Sequence, residues 1–140
     1  MKELRLKAKS EELDTLLALI DEEVEAAGCP MKYQMKLDLA VEEIFVNIAH
    51  YAYEKEGAGD ADISVETDPD GQKVTITFKD SGIPYNPLEH EDPDVTKPAE
   101  DRRIGGLGIY LVKKTMDDVK YEYLDGKNVL TILFSWSEAK

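Results

Sequence analysis

Glu43 and Asn47 lie one helical turn apart in Leu39-Ala40-Val41-Glu42-Glu43-Ile44-Phe45-Val46-Asn47, a run that otherwise reads as buried helix. An unpaired buried amide costs about 1–3 kcal/mol and an unpaired charge far more, so a core without a ligand favours apolar residues there. A ligand that uses both groups accounts for them. Asn47 offers a neutral oxygen to a hard cation such as Mg²⁺, which takes few protein ligands and completes its shell with water and phosphate oxygens. Glu43 then sits near a nucleophile, as general base or orienting group.

Two further clusters call for the same explanation. In Asp80-Ser81-Gly82-Ile83-Pro84, strand parity puts the Asp80 carboxylate on the side of Ile76 and Phe78, where it can accept a hydrogen bond from an exocyclic amine. Gly82 would let a flat ring approach the backbone. Taken alone, the same residues also read as an ordinary turn aspartate bonding its own backbone. In Arg102-Arg103-Ile104-Gly105-Gly106-Leu107-Gly108, a glycine-rich helix start exposes backbone N–H groups that suit a phosphate, and two arginines precede it.

The elements that must position these groups follow from hydrophobic periodicity. Leu4, Leu6 and Ala8 alternate with charge as a strand does, and Ser10 is the expected N-cap of a helix carrying Leu13, Leu16, Leu17, Ile20, Val24 and Ala27. Gly28 and Pro30 stop it. A second helix should run from Met31 or Lys32 to about Lys55, with Leu37, Val41, Ile44, Ile48 and Ala52 as its apolar stripe. Ala40, Glu43, Asn47 and His50 form the adjacent stripe, while Glu42 is expected to face solvent. Ile63 to Thr67 and Val74 to Phe78 flank a turn at Asp68-Pro69-Asp70-Gly71, and Val119 to Leu124 and Lys127 to Phe134 flank Asp125-Gly126. Between the hairpins lie a proline-rich acidic loop and the glycine-led helix with Ile109, Leu111, Val112 and Met116. The order predicts an α+β fold, a sheet with helices on one face.

Composition sets outer limits. A chain of 140 residues with a single cysteine, Cys29, builds a core without disulfides and suits a reducing cytoplasm. No run approaches the ~20 apolar residues of a membrane span. A net charge of −13 disfavours nucleic acid and anionic lipid, so a phosphate ligand needs locally aimed donors.

The chain resembles the GHKL ATPase superfamily, the Bergerat-fold group, through all three clusters in order. Glu43-x-x-x-Asn47 matches the N box, Asp80-x-Gly82-x-Pro84 the first glycine box, and Gly105-Gly106-Leu107-Gly108 the second. The resemblance implies one histidine-kinase-like ATPase domain over 1–140, built as a two-layer α/β sandwich with a mixed, mostly antiparallel sheet and an ATP lid over about 84–104. Its short length is most similar to the anti-sigma factor serine/threonine kinases of bacterial partner-switching systems. That likeness implies ATP and Mg²⁺ as ligands, a STAS-domain anti-anti-sigma protein as substrate, a sigma factor as alternative partner, and a homodimer.

Carried over residue by residue, Asn47 holds Mg²⁺, Glu43 activates the acceptor hydroxyl and Asp80 reads the adenine amine. Gly82, Pro84, Gly105, Gly106, Leu107 and Gly108 belong to the nucleotide-binding boxes. Arg102 or Arg103 lies near the terminal phosphate; we take Arg103 as the group that stabilises charge during transfer and Arg102 as a phosphate contact. Related kinases commonly carry histidine four residues after the asparagine, where this chain has Tyr51. His50, one place earlier, is either a nucleotide contact or a structural residue. Two other readings fit the same motifs: an ATP-dependent binding or sequestering module without transfer, and an orphan histidine-kinase catalytic domain.

Overall fold

The computed structural model describes residues 1–89 and 106–137. β1 (Lys2–Lys7) leads through a 3-10 turn at Ser10–Glu12 into α1 (Leu13–Ala26) and α2 (Met31–Tyr51). β2 (Asp60–Asp68) and β3 (Lys73–Asp80) follow, then a 3-10 turn at Pro87–Glu89, α3 (Gly106–Thr115), β4 (Asp118–Leu124) and β5 (Lys127–Ser135). The element order is the one that periodicity predicts.

The strands lie in the order β1-β2-β3-β5-β4, and each neighbouring pair is antiparallel. The described sheet is therefore wholly antiparallel, where the family resemblance implied some mixing. Alternation decides its faces: Ile63 and Val65 of β2, Val74, Ile76 and Phe78 of β3, and Leu130, Ile132 and Phe134 of β5 are all buried. They share one core with Leu16, Ile20 and Val24 of α1, Leu37, Val41, Ile44 and Phe45 of α2, and Val112 of α3. All three helices thus cover the same face.

Helix ends differ from expectation where tertiary contacts intervene. Ser10 opens the 3-10 turn instead of capping α1, and its N–H and Oγ each donate to Glu56 Oε1 at 2.8 Å. The Gly57 N–H donates to Ala8 O at 2.9 Å, so the segment after α2 is tied to the end of β1. α2 stops at Tyr51, short of the predicted Lys55. The Ala52 carbonyl accepts the Ile83 N–H at 2.9 Å, and the Tyr53 hydroxyl donates to Asp60 O at 2.6 Å while accepting the Ser81 N–H at 2.9 Å. These bonds draw the chain out of the helix and fasten its end to β2 and β3.

The first hairpin turn also departs slightly from its reading, since the residue with positive φ is Gln72 at 54°, one beyond Gly71. Asp68 Oδ1 accepts the Gly71 N–H at 3.0 Å and so closes the turn. The second turn has positive φ at both Asp125 and Gly126, 54° and 78°, as a two-residue hairpin with right-handed twist requires. Among the described residues no helix is long and apolar enough to cross a membrane.

Candidate functional site

Where α2, α3 and the ends of β3 and β5 meet, a cleft open to solvent is lined by Asn47, Asp80 and Asn128 among apolar side chains. Ile44, Ile48, Phe78, Ile109 and Leu130 supply most of the wall, with Tyr85, Pro87 and Tyr121 near them. A mostly apolar cleft with a few converging polar groups is the usual form of a small-molecule site.

Asp80 is the last inward residue of β3 and is only 6% exposed. Its Oδ1 accepts two bonds at 2.9 Å, from the Gly82 N–H and from Asn128 Nδ2. Burial pushes the carboxyl up from its ordinary value, while the bonds from Asn128 and Gly82 and the charge of Lys127 pull it back. Oδ2 takes no hydrogen bond from the described residues, which leaves one acceptor of a buried acid for a ligand donor.

Asn128 faces Asp80 directly in the β3–β5 register, and no motif in the sequence pointed to it. Its Nδ2 also donates to Ile83 O at 2.8 Å, and its Oδ1 accepts from the Tyr85 N–H at 3.1 Å and from the Tyr121 hydroxyl. Both ends of the amide are used, so its orientation is set by its partners. The signal in the sequence was only positional: Asn128 occupies an inward place on a strand otherwise filled by Leu130, Ile132 and Phe134.

Gly82 also meets a steric demand of the fold. A Cβ there would come within 2.1 Å of the Ala52 carbonyl oxygen, so the missing side chain lets the segment just after β3 pass close against the end of α2. Pro84 is exposed and outside the cavity lining; Tyr85 and Pro87 occupy the wall instead.

Asn47 reaches the cavity from α2, and its Nδ2 is buried with no partner. An orphaned amide nitrogen of this kind is costly unless a ligand completes it. Turning the amide over puts Oδ1 in the same place, where a cation is the complementary partner. Among the described residues no group of three or more His, Cys, Asp or Glu gathers to hold a metal.

Glu43 is half-buried one turn back along α2, outside the cavity lining. Burial and then the charge of Glu42 raise its carboxyl above the ordinary range. Glu42 is itself half-buried, contrary to its solvent-facing expectation. His50 is exposed, and its Nε2 lies 3.5 Å from Glu56 Oε2, so it joins the Ser10–Glu56 link and not the cavity. Tyr51 packs its ring 6.1 Å from that of Tyr85.

Gly106, Leu107 and Gly108 form the first turn of α3, and Ile109 directly after them lines the cavity. The start of α3, whose first backbone N–H groups have no partner within the helix, therefore adjoins the site. Arg102, Arg103 and Gly105 lie outside the described residues, as does most of the expected lid.

Residues 6–134 match the family model described as the histidine kinase-like ATPase domain. The chain belongs to this family. The serine-protein kinase RsbW of Listeria monocytogenes serovar 1/2a is 34% identical over 98 residues, covering 67% of this chain and 61% of the relative. RsbW of Bacillus cereus is 29% identical over 96 residues, covering 67% and 59%. The chain spans about three-fifths of the length of these curated relatives. The fold is shared with the RsbU and RsbW domains of Rv1364c from Mycobacterium tuberculosis, with a TM-score of 0.60, 14% identity, and coverage of 96% of this chain and 32% of that one. It is shared too with the catalytic domain of histidine kinase ThkA, with a TM-score of 0.53, 15% identity, and coverage of 96% and 97%.

Proposed function

We propose that the chain is an ATP-dependent protein serine/threonine kinase of the anti-sigma factor type, acting on a STAS-domain anti-anti-sigma protein. The observation that carries this reading is the pairing, on one helix, of a cavity-lining amide with a missing partner and a carboxyl raised by burial one turn away. Binding alone would need only the amide. The named serine-protein kinases among the relatives support the same reaction class.

In this reading the cavity takes the adenine, with Oδ2 of Asp80 accepting from its exocyclic amine. Asn128 holds Asp80 in place and is a positioning residue. Asn47 would hold Mg²⁺, which supplies neutralisation of phosphate charge when bound. The α3 start, Gly106 to Gly108, donates backbone N–H groups to phosphate oxygens, and Arg102 and Arg103 are assigned beside the terminal phosphate, Arg103 stabilising the charge of transfer. The acceptor hydroxyl oxygen forms a bond to the γ-phosphorus as the bond from that phosphorus to the bridging oxygen breaks, and ADP departs with the electron pair. Glu43 takes the hydroxyl proton, a role for which a raised carboxyl is suited.

Glu43→Gln tests the transfer step. It should lower transfer from labelled ATP to the STAS protein by about 10²-fold or more, the usual scale of general base loss, while ATP affinity stays within a few-fold. Transfer at near wild-type rate by this variant would remove Glu43 from the chemistry and leave nucleotide binding as the supported function.

A further inference from the structure

α2 carries more apolar surface than its packing uses. Met31, Met35 and Leu39 follow one another at intervals of four residues and are 65%, 62% and 62% exposed. The next step along that ridge is Glu43, about 6 Å further on at 1.5 Å rise per residue. Leucine and methionine in a row on an outward helix face are not a fold requirement, because the opposite face of α2 already supplies Leu37, Val41 and Ile44 to the core.

Charge narrows what this ridge would meet. Lys32 and Lys36 border it, their ammonium groups 5.0 and 5.6 Å from the Tyr33 ring centre, and neither forms an ion pair with a described carboxylate. On a chain of net charge −13, two cations without carboxylate partners beside an apolar strip suit a partner whose own apolar patch is rimmed by acidic groups.

We propose that this face of α2 is the docking surface for the phosphoacceptor protein, which seats an apolar patch on Met35 and Leu39, sets acidic residues against Lys32 and Lys36, and so brings its hydroxyl to Glu43. The proposal rests on the kinase reading above and names where that substrate sits. It assigns the ridge to substrate affinity and Glu43 to the chemical step. A single helix therefore holds the docking contacts, the base and the cavity-lining amide in sequence, which fixes their spacing without help from a loop.

The test uses a STAS-domain protein from the same genome, purified unphosphorylated, with labelled Mg²⁺-ATP. Leu39→Asp and Met35→Asp should each raise KM for that protein by about tenfold or more with kcat within about twofold, as loss of uniform binding requires. ATP affinity, measured calorimetrically, should be unchanged, and this also shows that the exposed substitutions leave the fold intact. Lys36→Glu should raise KM and weaken its dependence on salt. Wild-type transfer with unaltered KM in all three variants overturns the docking surface and leaves the kinase reading standing.

If wild type binds the STAS protein without phosphorylating it, and Leu39→Asp abolishes that binding, the surface stands and the kinase reading falls. If wild type neither binds nor phosphorylates it, both fall. Conversion of a dimer to a monomer by Leu39→Asp in sedimentation, with KM unchanged, would assign the ridge to a second copy of this chain and overturn the proposal.

Discussion

Two acids withdrawn from water on this scaffold behave in opposite ways. Asp80, at the end of β3, lines the cavity and has one oxygen held by Gly82 and Asn128 while the other takes no hydrogen bond from the described residues. Asp38, half-buried on α2 where it packs on α1, meets another carboxyl: burial first, then a hydrogen bond and the charge of Asp21, push it up to about 8. The Oδ1 atoms of both Asp21 and Asp38 are buried without a partner. The same pair, with burial as the larger cause, raises the Cys29 thiol to about 11 and keeps it protonated. Burial of a carboxyl thus has no single meaning. A neighbouring amide that locks one oxygen leaves the other as an acceptor, whereas a neighbouring acid pushes the buried carboxyl further up.

The largest expected effect would break this contrast at its functional end. Asp80→Asn keeps an oxygen for Gly82 and Asn128 but turns an NH₂ group toward the cavity, where a ligand amine needs an acceptor. ATP affinity should fall by about 1.5–3 kcal/mol, the worth of a hydrogen bond to a charged group, with thermal stability kept. Calorimetric binding at wild-type strength would show that Asp80 is merely a buried turn acid.

Asn128→Ala removes the lock itself. Asp80 Oδ1, the Ile83 carbonyl and the Tyr85 N–H each lose a partner, so unfolding in urea should show a loss of about 1–3 kcal/mol together with weaker ATP binding. A variant with normal stability would mean that water replaces the amide and that the network does not position Asp80.

The smallest effect belongs to the helix pair. A carboxyl raised from 3.8 to about 8 contributes stability that is fully present below pH 3.8 and is lost as pH rises through about 8. Water reaching this half-buried pair screens most of that contribution, so the melting temperature should decline by only a few degrees as pH is raised across that window, and Asp38→Asn should flatten the decline. An equally steep profile in the variant would place the titration elsewhere.

Much of this architecture was legible in the residues. Strand parity alone put Asp80 among Ile76 and Phe78, and helical spacing alone put Asn47 one turn from Glu43. Periodicity likewise gave the element order, because burial of alternating or helically spaced apolar groups is a local consequence of strand and helix geometry. Asn128 escaped notice because its meaning depends on a partner 48 residues away. His50 shows a related dependence: its stripe is local, but the Glu56 beside it is held there by Ser10 near the end of β1. Gly82 was recognised as special, yet only the approach of Ala52 shows what its missing Cβ accommodates.

Sequence by itself determined which groups are chemically unusual: a carboxylate and an amide on a core-bordering helix, an acid at the inward end of a strand, a glycine-led helix start. Each is defined by the few residues around it. Tertiary structure alone decided which of them converge, which oxygen of Asp80 stays open, and which apolar residues of α2 remain uncovered. Those outcomes rest on strand order and helix packing, where contacts between distant segments are chosen by the burial of the whole chain and not by any local pattern.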